Sequence, residues 1–89
     1  MNLGIERAIE FYGSMAALAR SLSITAPAVH EWRSGARPVP VERCVQIERM
    51  TKGAATRVDL RPSDWHRIWP ELIGAPGAPA IPTEEKAHG

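Results

Sequence analysis

The stretch from residue 25 to residue 34 carries small and polar side chains at spacings that suit contact with a ligand better than burial in a core. Ala26 and Pro27 are small and apolar at its start, and His30 and Glu31 follow one helical turn later. Small side chains let a helix approach the floor of the DNA major groove, where histidine and glutamate can hydrogen-bond to base edges. The chemistry that this stretch favours is therefore the reading of base pairs.

Helix signals flank this stretch on both sides. Thr25 is a typical N-cap residue, and Pro27 in the first turn lacks only an amide hydrogen that would have no partner within a helix. Gly35 can adopt the left-handed backbone that ends many helices. Val29 and Trp32 are three residues apart on the opposite face, so we expect both to be buried. The pattern predicts a helix with one anchored face and one free face.

A second helix is predicted immediately before it, over residues 15–22, with Ser14 as its N-cap. Small Ala19 would let the two helices cross closely, and Ile24 would fill the angle between them. Ser23 stands where glycine is usual, so we expect a slightly strained or differently shaped turn. These features are typical of a helix-turn-helix, although an ordinary corner between two helices shares them. The predicted inward set is Leu18, Ala19, Leu22, Ile24, Val29 and Trp32.

Hydrophobic periodicity predicts further short helices on both sides of this pair. One ends at Gly13, one begins near Pro40 or Val41 and is ended by Lys52 and Gly53, and one follows Ser63 as a candidate cap. Residues 56–60 alternate in character, which predicts either a short extended segment or a loop. The apolar positions of the three helices are Ile5, Ala8, Ile9 and Tyr12; Val41, Cys44, Val45, Ile47 and Met50; and Trp65, Ile68, Trp69 and Leu72.

Length and composition indicate one small domain. The chain has 89 residues, of which 44% are hydrophobic and 24% are charged, as is usual in globular proteins. We expect an all-α domain of four to five short helices over residues 1–73 and a flexible Pro/Ala/Gly tail over residues 74–89. The N-terminus has no basic segment followed by an apolar run, and no stretch is long enough to span a membrane. We therefore expect a cytoplasmic location.

The sequence offers little for catalysis or for a cofactor. His30, His66 and His88 have no metal-ligand spacing with one another or with Cys44. Asp64 lies near His66 but no nucleophile accompanies them. We expect no enzyme activity, no metal, no cofactor and no small-molecule substrate. Cys44 lies in an apolar helical pattern, which predicts a buried reduced thiol. The net charge is only +1, but arginines near the predicted helix pair can make the surface locally basic.

These residues carry a resemblance to a known family. The run LARSLSITAPAVHEWRSGARPVPVERCVQIERMT at 18–51, followed by VDLRPSDWHRIWPEL at 58–72, resembles YdaS-like and Cro-like phage-type helix-turn-helix regulators. The shared pattern is LA, a turn, V-x-x-W, G-x-R-x-V-P, an acid-arginine-cysteine helix start, I-E, and a terminal LRP with tryptophan. The resemblance implies a lambda-repressor-like, Cro-like fold and sequence-specific binding to double-stranded DNA. It implies either a Cro-type repressor or a YdaS-like antitoxin from a prophage-like locus, the latter with a cognate toxin as its partner.

The resemblance also implies roles for particular side chains. The family's base-reading positions fall on Ala26, Pro27, His30 and Glu31. Its phosphate-facing positions fall on Thr25, Arg33, Ser34 and Arg37, with Arg20 as a weaker candidate that could equally be solvated. Glu31 could instead pair with a neighbouring cation on its own helix, and His30 could simply be exposed.

The tryptophan-bearing end of the chain carries an apolar patch of Trp65, Ile68 and Trp69. We expect this patch to close the core, to form a self-complementary dimer contact, or to do both. Repressors of this architecture bind half-sites about 34 Å apart, so we expect a homodimer on a pseudo-palindromic operator. The alternative function is a helix-turn-helix module that binds a toxin or the transcription machinery without specific DNA readout.

Overall fold

The structure is a computed structural model that describes residues 1–81. Within that range the chain forms six α-helices, one 3-10 turn at Pro70–Leu72, and no strand, so the all-α prediction is confirmed with one helix more than expected. The helices are α1 Leu3–Tyr12, α2 Met15–Leu22, α3 Ala26–Ser34, α4 Val41–Met50, α5 Arg57–Leu60 and α6 Trp65–Ile68. None of the helices in this range combines the length and the apolar character needed to cross a lipid bilayer.

Side-chain caps determine where the first three helices begin. The hydroxyl of Ser14 accepts the amide hydrogen of Ala17 at 3.0 Å, and Thr25 caps α3 in the same way, so both predicted caps are confirmed. Asn2 caps α1, and its side chain accepts the amide hydrogen of Ile5 at 3.0 Å. The first helix therefore starts two residues before the apolar pattern does.

The core lies where the six helices meet, and it contains most of the predicted inward set. Trp32 is buried, as predicted, and Ile24 is half-buried against the core. Trp65 and Trp69 are also buried within this chain, which assigns them to the core, and Ile68 packs against it. The buried apolar residues are Ile5, Ala8, Leu18, Ala19, Leu22, Val29, Trp32, Val39, Cys44, Ile47, Ala55, Leu60, Trp65 and Trp69.

The prediction of an extended segment or loop at residues 56–60 is wrong, because this segment forms α5. The Thr56 hydroxyl accepts the Asp59 amide hydrogen at 3.1 Å, and the Asp59 carboxylate accepts the Thr56 amide hydrogen at 3.1 Å. This reciprocal capping box satisfies two amides that a helix start otherwise leaves without partners. A single helical turn is therefore stable here despite the alternating sequence.

Two details of the predicted helices are also wrong. Val41 is 38% exposed rather than inward, because Val39, two residues earlier, is the valine that fills the core beside Cys44. Ser63 does not cap α6, which begins after Asp64 without a side-chain cap. The Asp64 carboxylate is instead bound by Arg61.

Arg61 joins the α3–α4 connection to the start of α6. Its Nη1 donates to the Val39 carbonyl at 2.8 Å, while its Nε and Nη2 donate to the two carboxylate oxygens of Asp64 at 3.1 and 2.7 Å. The hydrogen bonds from Arg61 lower the pKa of Asp64. Nearby, the predicted burial of Cys44 is confirmed, and this burial raises the pKa of its thiol to about 12.

The first residues of the predicted tail lie against the domain. Ala75 and Ala78 are half-buried, and Ala78 packs against the hydrophobic core. Each donates its amide hydrogen to the carbonyl three residues earlier, at 3.1 and 2.9 Å, which gives the segment a turn-like path. Residues 82–89 of the predicted tail lie outside the described residues. Flexibility of this tail stays a prediction.

Gly4 permits α1 and α5 to approach more closely than any other residue would. A Cβ atom at Gly4 would lie 2.6 Å from two side-chain carbons of Leu60 and 2.9 Å from its backbone nitrogen. Asn2 reaches the same place, because its Nδ2 donates to the Leu60 carbonyl at 3.0 Å. The contact between the two helices therefore requires a residue without a side chain at position 4.

We expect Gly4→Ala to reduce the free energy of unfolding by about 1–3 kcal/mol, because the added methyl group overpacks the contact with Leu60. Alanine normally stabilises a helix relative to glycine by about 0.5–1 kcal/mol, so the sign of the change is diagnostic. Urea denaturation followed by circular dichroism measures it. Glu10→Ala on the exposed side of the same helix is the control and should change stability by less than about 0.5 kcal/mol. Unchanged or increased stability of Gly4→Ala would contradict the close contact.

Because of the Arg61–Asp64 pair, we expect the free energy of unfolding to depend on pH in the acid range. The pKa of Asp64 in the folded chain lies below its ordinary value of 3.8. The pair therefore contributes its full stabilisation of the fold at pH values above 3.8, and this contribution is lost as the pH falls through the lower pKa of the folded chain. We expect Asp64→Asn to cost about 1 kcal/mol near neutral pH and to match the wild type near pH 2. Urea midpoints across this pH range test the expectation, with Glu71→Gln as the exposed control. A difference that does not change with pH would show that the carboxylate charge contributes nothing.

Candidate nucleic-acid interface

The turn between α2 and α3 is closed by main-chain hydrogen bonds around Ser23. Ser23 adopts the left-handed conformation, with φ 57° and ψ 43°. Its amide donates to the Arg20 carbonyl at 3.1 Å, and the Ile24 amide donates to the Ala19 carbonyl at 3.0 Å. This pair of bonds is the Schellman motif, in which glycine usually occupies the left-handed position. The turn therefore has the shape that glycine normally gives it. Of the two predicted outcomes, a strained turn and a differently shaped turn, the structure shows the first, and Ser23 carries the strain.

The α3 helix has one anchored face and one free face, as predicted. Val29 and Trp32 are buried, and they hold the helix against the core. The structure brings the predicted small and polar side chains together on the opposite side. The exposed residues of this side are Ala26, Pro27, His30 and Ser34, and the exposed N-cap Thr25 lies at the start of the helix in line with its buried face.

Glu31 is paired with a cation from outside its helix. Its carboxylate lies 3.0 Å from Nε of Arg37, and the two side chains are 45% and 71% exposed. The backbone adds a second link, because the Arg37 amide donates to the Glu31 carbonyl at 3.2 Å. Sequence reasoning foresaw an ion pair for Glu31 only within α3, but the partner lies beyond the helix end. Two side chains predicted to face DNA thus contact each other in the free protein.

Arg33, at the end of α3, is tied to the start of α1. Its Nε donates to the Glu6 carboxylate at 2.8 Å, and its carbonyl accepts the Asn2 amide hydrogen at 2.9 Å. The side chains of Arg33 and Glu6 remain 40% and 30% exposed. Arg20 is exposed on α2 and forms no ion pair within residues 1–81.

Sequence reasoning missed the role of Arg43. Its Nη1 donates to the Leu22 carbonyl at 3.2 Å and to Oε1 of Gln46 at 2.8 Å. The Leu22 carbonyl belongs to the last turn of α2, where helices leave carbonyls without partners. Arg43 on α4 therefore fixes the end of α2 next to the turn. Its partner lies 21 residues away, so only a pattern that spans two helices could have revealed it.

The polar side chains of the site lie along an exposed helix surface. Within the described part of the chain, no group of three or more His, Cys, Asp or Glu side chains could hold a metal ion. The polar groups of the site are the imidazole of His30, the hydroxyls of Thr25 and Ser34, and the guanidinium groups of Arg33 and Arg37, each of which is paired with a carboxylate. These groups can donate and accept hydrogen bonds and attract anions.

We expect Ser23→Gly to raise the free energy of unfolding by about 0.5–1 kcal/mol, because glycine adopts the left-handed conformation without the cost that serine bears. Ser21→Gly, in the last turn of α2, is the matched control and should destabilise by about 0.5 kcal/mol through lower helix propensity. Thermal and urea unfolding of both variants measure the difference. Destabilisation of equal size in both would mean that Ser23 is not strained.

Comparisons with known proteins agree with this architecture. Residues 5–68 match the family described as "Bacterial toxin YdaS". The protein of Escherichia coli (strain K12) named "Putative transcriptional regulator YdaS" is 40% identical over 65 residues, a match that covers 72% of this chain and 66% of that protein. The chain thus spans slightly less than two thirds of that relative's length.

A solved structure is similar over most of its own length. It is the "Structure of the Cro protein from putative prophage element Xfaso 1 in Xylella fastidiosa strain Ann-1", with a TM-score of 0.61 and 48% identity. The match covers 70% of this chain and 92% of that one. The two relatives are named as a regulator and a Cro protein and not as enzymes, which agrees with the prediction of a non-enzymatic chain. The fold is that of a Cro-like helix-turn-helix domain, and the chain belongs to the YdaS family.

Proposed function

We propose that this chain is a transcriptional regulator that binds double-stranded DNA sequence-specifically and inserts α3 into the major groove. The observation that carries the proposal is the division of α3 into two faces. Val29 and Trp32 anchor one side in the core, while Ala26, Pro27 and His30 are exposed on the other. A recognition helix needs this division, because it must be held rigidly while its N-terminal half approaches the bases. The names of the two relatives, a transcriptional regulator and a Cro protein, support the same function.

The base contacts are assigned to the first two turns of α3. His30 can donate to or accept from a purine edge, and Glu31 can accept from the amino group of cytosine. Ala26 and Pro27 offer apolar contact, most naturally to a thymine methyl group. Arg37 beside Glu31 offsets the repulsion between that carboxylate and the phosphates. Direct readout is sparse in this scheme, so DNA shape and deformability supply part of the specificity.

Phosphate contacts are assigned to the groups around the two ends of α3 and on α2. They are Thr25, Arg33, Ser34, Arg37 and Arg20. Thr25 and Ser34 lie at opposite ends of the helix and are exposed, so their hydroxyls can reach backbone oxygens on the two sides of a groove. The Ser34 hydroxyl, which donates to the Glu31 carbonyl at 3.2 Å, must exchange that acceptor for a phosphate oxygen. The arginines provide the charge that displaces counterions from DNA. These contacts fix the position of α3 and carry no sequence information themselves.

The functional unit is proposed to be a homodimer on a pseudo-palindromic operator, because two copies of α3 can then read two half-sites about 34 Å apart. Trp65 and Trp69 are buried within one chain, so we assign the dimer contact to other residues. We favour a Cro-type repressor over an antitoxin. The similar solved structure is named a Cro protein, which supports this choice.

Two substitutions test the proposed roles. We expect His30→Ala to reduce the discrimination between operator and altered operator by about 1–3 kcal/mol. Arg33→Ala should weaken binding to all duplexes and reduce the slope of log affinity against log salt by about 0.9, the value for one phosphate. Fluorescence anisotropy at several salt concentrations measures both, with a duplex selected by the wild type from a randomised library and an unrelated duplex.

Arg67→Ala is the matched control for Arg33→Ala, because Arg67 is exposed on α6 and forms no ion pair in the described part of the chain. It should leave the salt slope unchanged. If His30→Ala and Arg33→Ala both fold and bind DNA as the wild type does, α3 is not the recognition helix. If the wild type selects no duplex, the proposed function is wrong, and the competing function, binding to a toxin or the transcription machinery without specific DNA readout, is favoured.

A further inference from the structure

We propose that Glu6 of α1 is a positioning residue for DNA binding, which holds the Arg33 guanidinium so that its Nη atoms face a phosphate. This inference rests on the proposed function and extends it to a helix outside the helix-turn-helix. Glu6 lies in the first turn of α1, 27 residues before Arg33, and sequence reasoning gave it no role. Its assignment depends on three features of the contact.

The first feature is the atom of Arg33 that Glu6 binds. Nε of Arg33 donates to Oε2 of Glu6 at 2.8 Å, and within residues 1–81 the two Nη atoms have no hydrogen-bond partner. A carboxylate that competed with DNA for this arginine would be expected to bind two of its nitrogens and occupy an Nη atom, as Asp64 binds both Nε and Nη2 of Arg61. The contact through Nε alone leaves the Nη donors available to phosphate oxygens.

The second feature is the main-chain bond beside the ion pair. The Arg33 carbonyl accepts the Asn2 amide hydrogen at 2.9 Å, so the backbone of Arg33 is also fixed to the start of α1. Asn2 in turn caps α1, and its side chain donates to Leu60. The position of the Glu6 carboxylate relative to the end of α3 is therefore set by the fold. An acceptor held in this way can select one rotamer of a long side chain.

The third feature is partial exposure. Arg33 is 40% exposed and Glu6 is 30% exposed, so the pair contributes little to folding stability and the guanidinium reaches the surface. Ordering a free arginine at an interface reduces affinity by up to about one order of magnitude. An arginine that is already ordered by Glu6 avoids most of this loss when it meets a phosphate.

The test compares Glu6→Ala, which removes the acceptor, with Glu6→Gln, whose amide oxygen can still accept from Nε. We expect Glu6→Ala to bind the selected duplex about 3- to 10-fold more weakly at about 0.15 M salt, because the Arg33 side chain must then be ordered when DNA binds. Glu6→Gln should stay within about twofold of the wild type. Glu10→Ala, an exposed carboxylate on the same helix, is the matched control and should bind as the wild type does.

A double substitution separates positioning from an effect on the fold. In the Arg33→Ala background, Glu6→Ala should have no further effect on affinity, because the side chain that Glu6 orders is absent. A further loss in that background, or Glu6→Ala binding as tightly as the wild type or more tightly, would overturn the inference. These outcomes leave the proposed function intact as long as the wild type selects a duplex. Failure of the wild type to select any duplex overturns the proposed function, and this inference with it.

Discussion

Burial of Trp32 in the core determines which side chains of α3 reach solvent. An indole ring removes roughly 150–250 Å² of surface from water, which contributes on the order of 4 kcal/mol to a domain whose total stability is on the order of 5–15 kcal/mol. Val29, one turn earlier, is buried on the same face. If α3 rotated about its own axis to expose another face, Val29 or Trp32 would leave the core. The exposed position of His30 on the opposite side thus follows from the packing of two apolar residues.

Local signals in the sequence were sufficient for most of the helices. Ser14 and Thr25 cap the helices that their positions indicated, and the apolar spacing of α2 and α3 matches the buried residues. The prediction for residues 56–60 was wrong because two local signals conflicted. The alternation favoured an extended chain, whereas Thr56 and Asp59 have the spacing of a capping box. The segment has only five residues, so the alternation repeats only two or three times. The hydrogen bonds that the capping box gives to two backbone amides therefore determine its structure.

The contacts that hold the site in place could not be predicted, because each joins residues far apart in the chain. Arg43 reaches the Leu22 carbonyl across 21 residues, and Arg33 reaches Glu6 across 27. Arginine on a helix surface is common, and nothing in its neighbours indicates whether it will meet a carbonyl, a carboxylate or water. The exposed residues of α3 could be predicted from one helix, whereas the partner of Arg33 depends on how α1 packs against α3 and the partner of Arg43 on how α4 lies beside α2.

The hydrogen bond from Asn2 to the Leu60 carbonyl joins two residues that are 58 positions apart. Asn2 makes a second long-range contact, in which its backbone amide donates to the Arg33 carbonyl. This contact forms only when the start of α1 has docked on α3. The chain must therefore close a loop of 31 residues before the bond to Arg33 can form and a loop of 58 residues before the bond to Leu60 can form, and each closure costs entropy. Such connectivity favours all-or-none folding, in which the helix-turn-helix is ordered only when the segment after residue 56 is ordered as well.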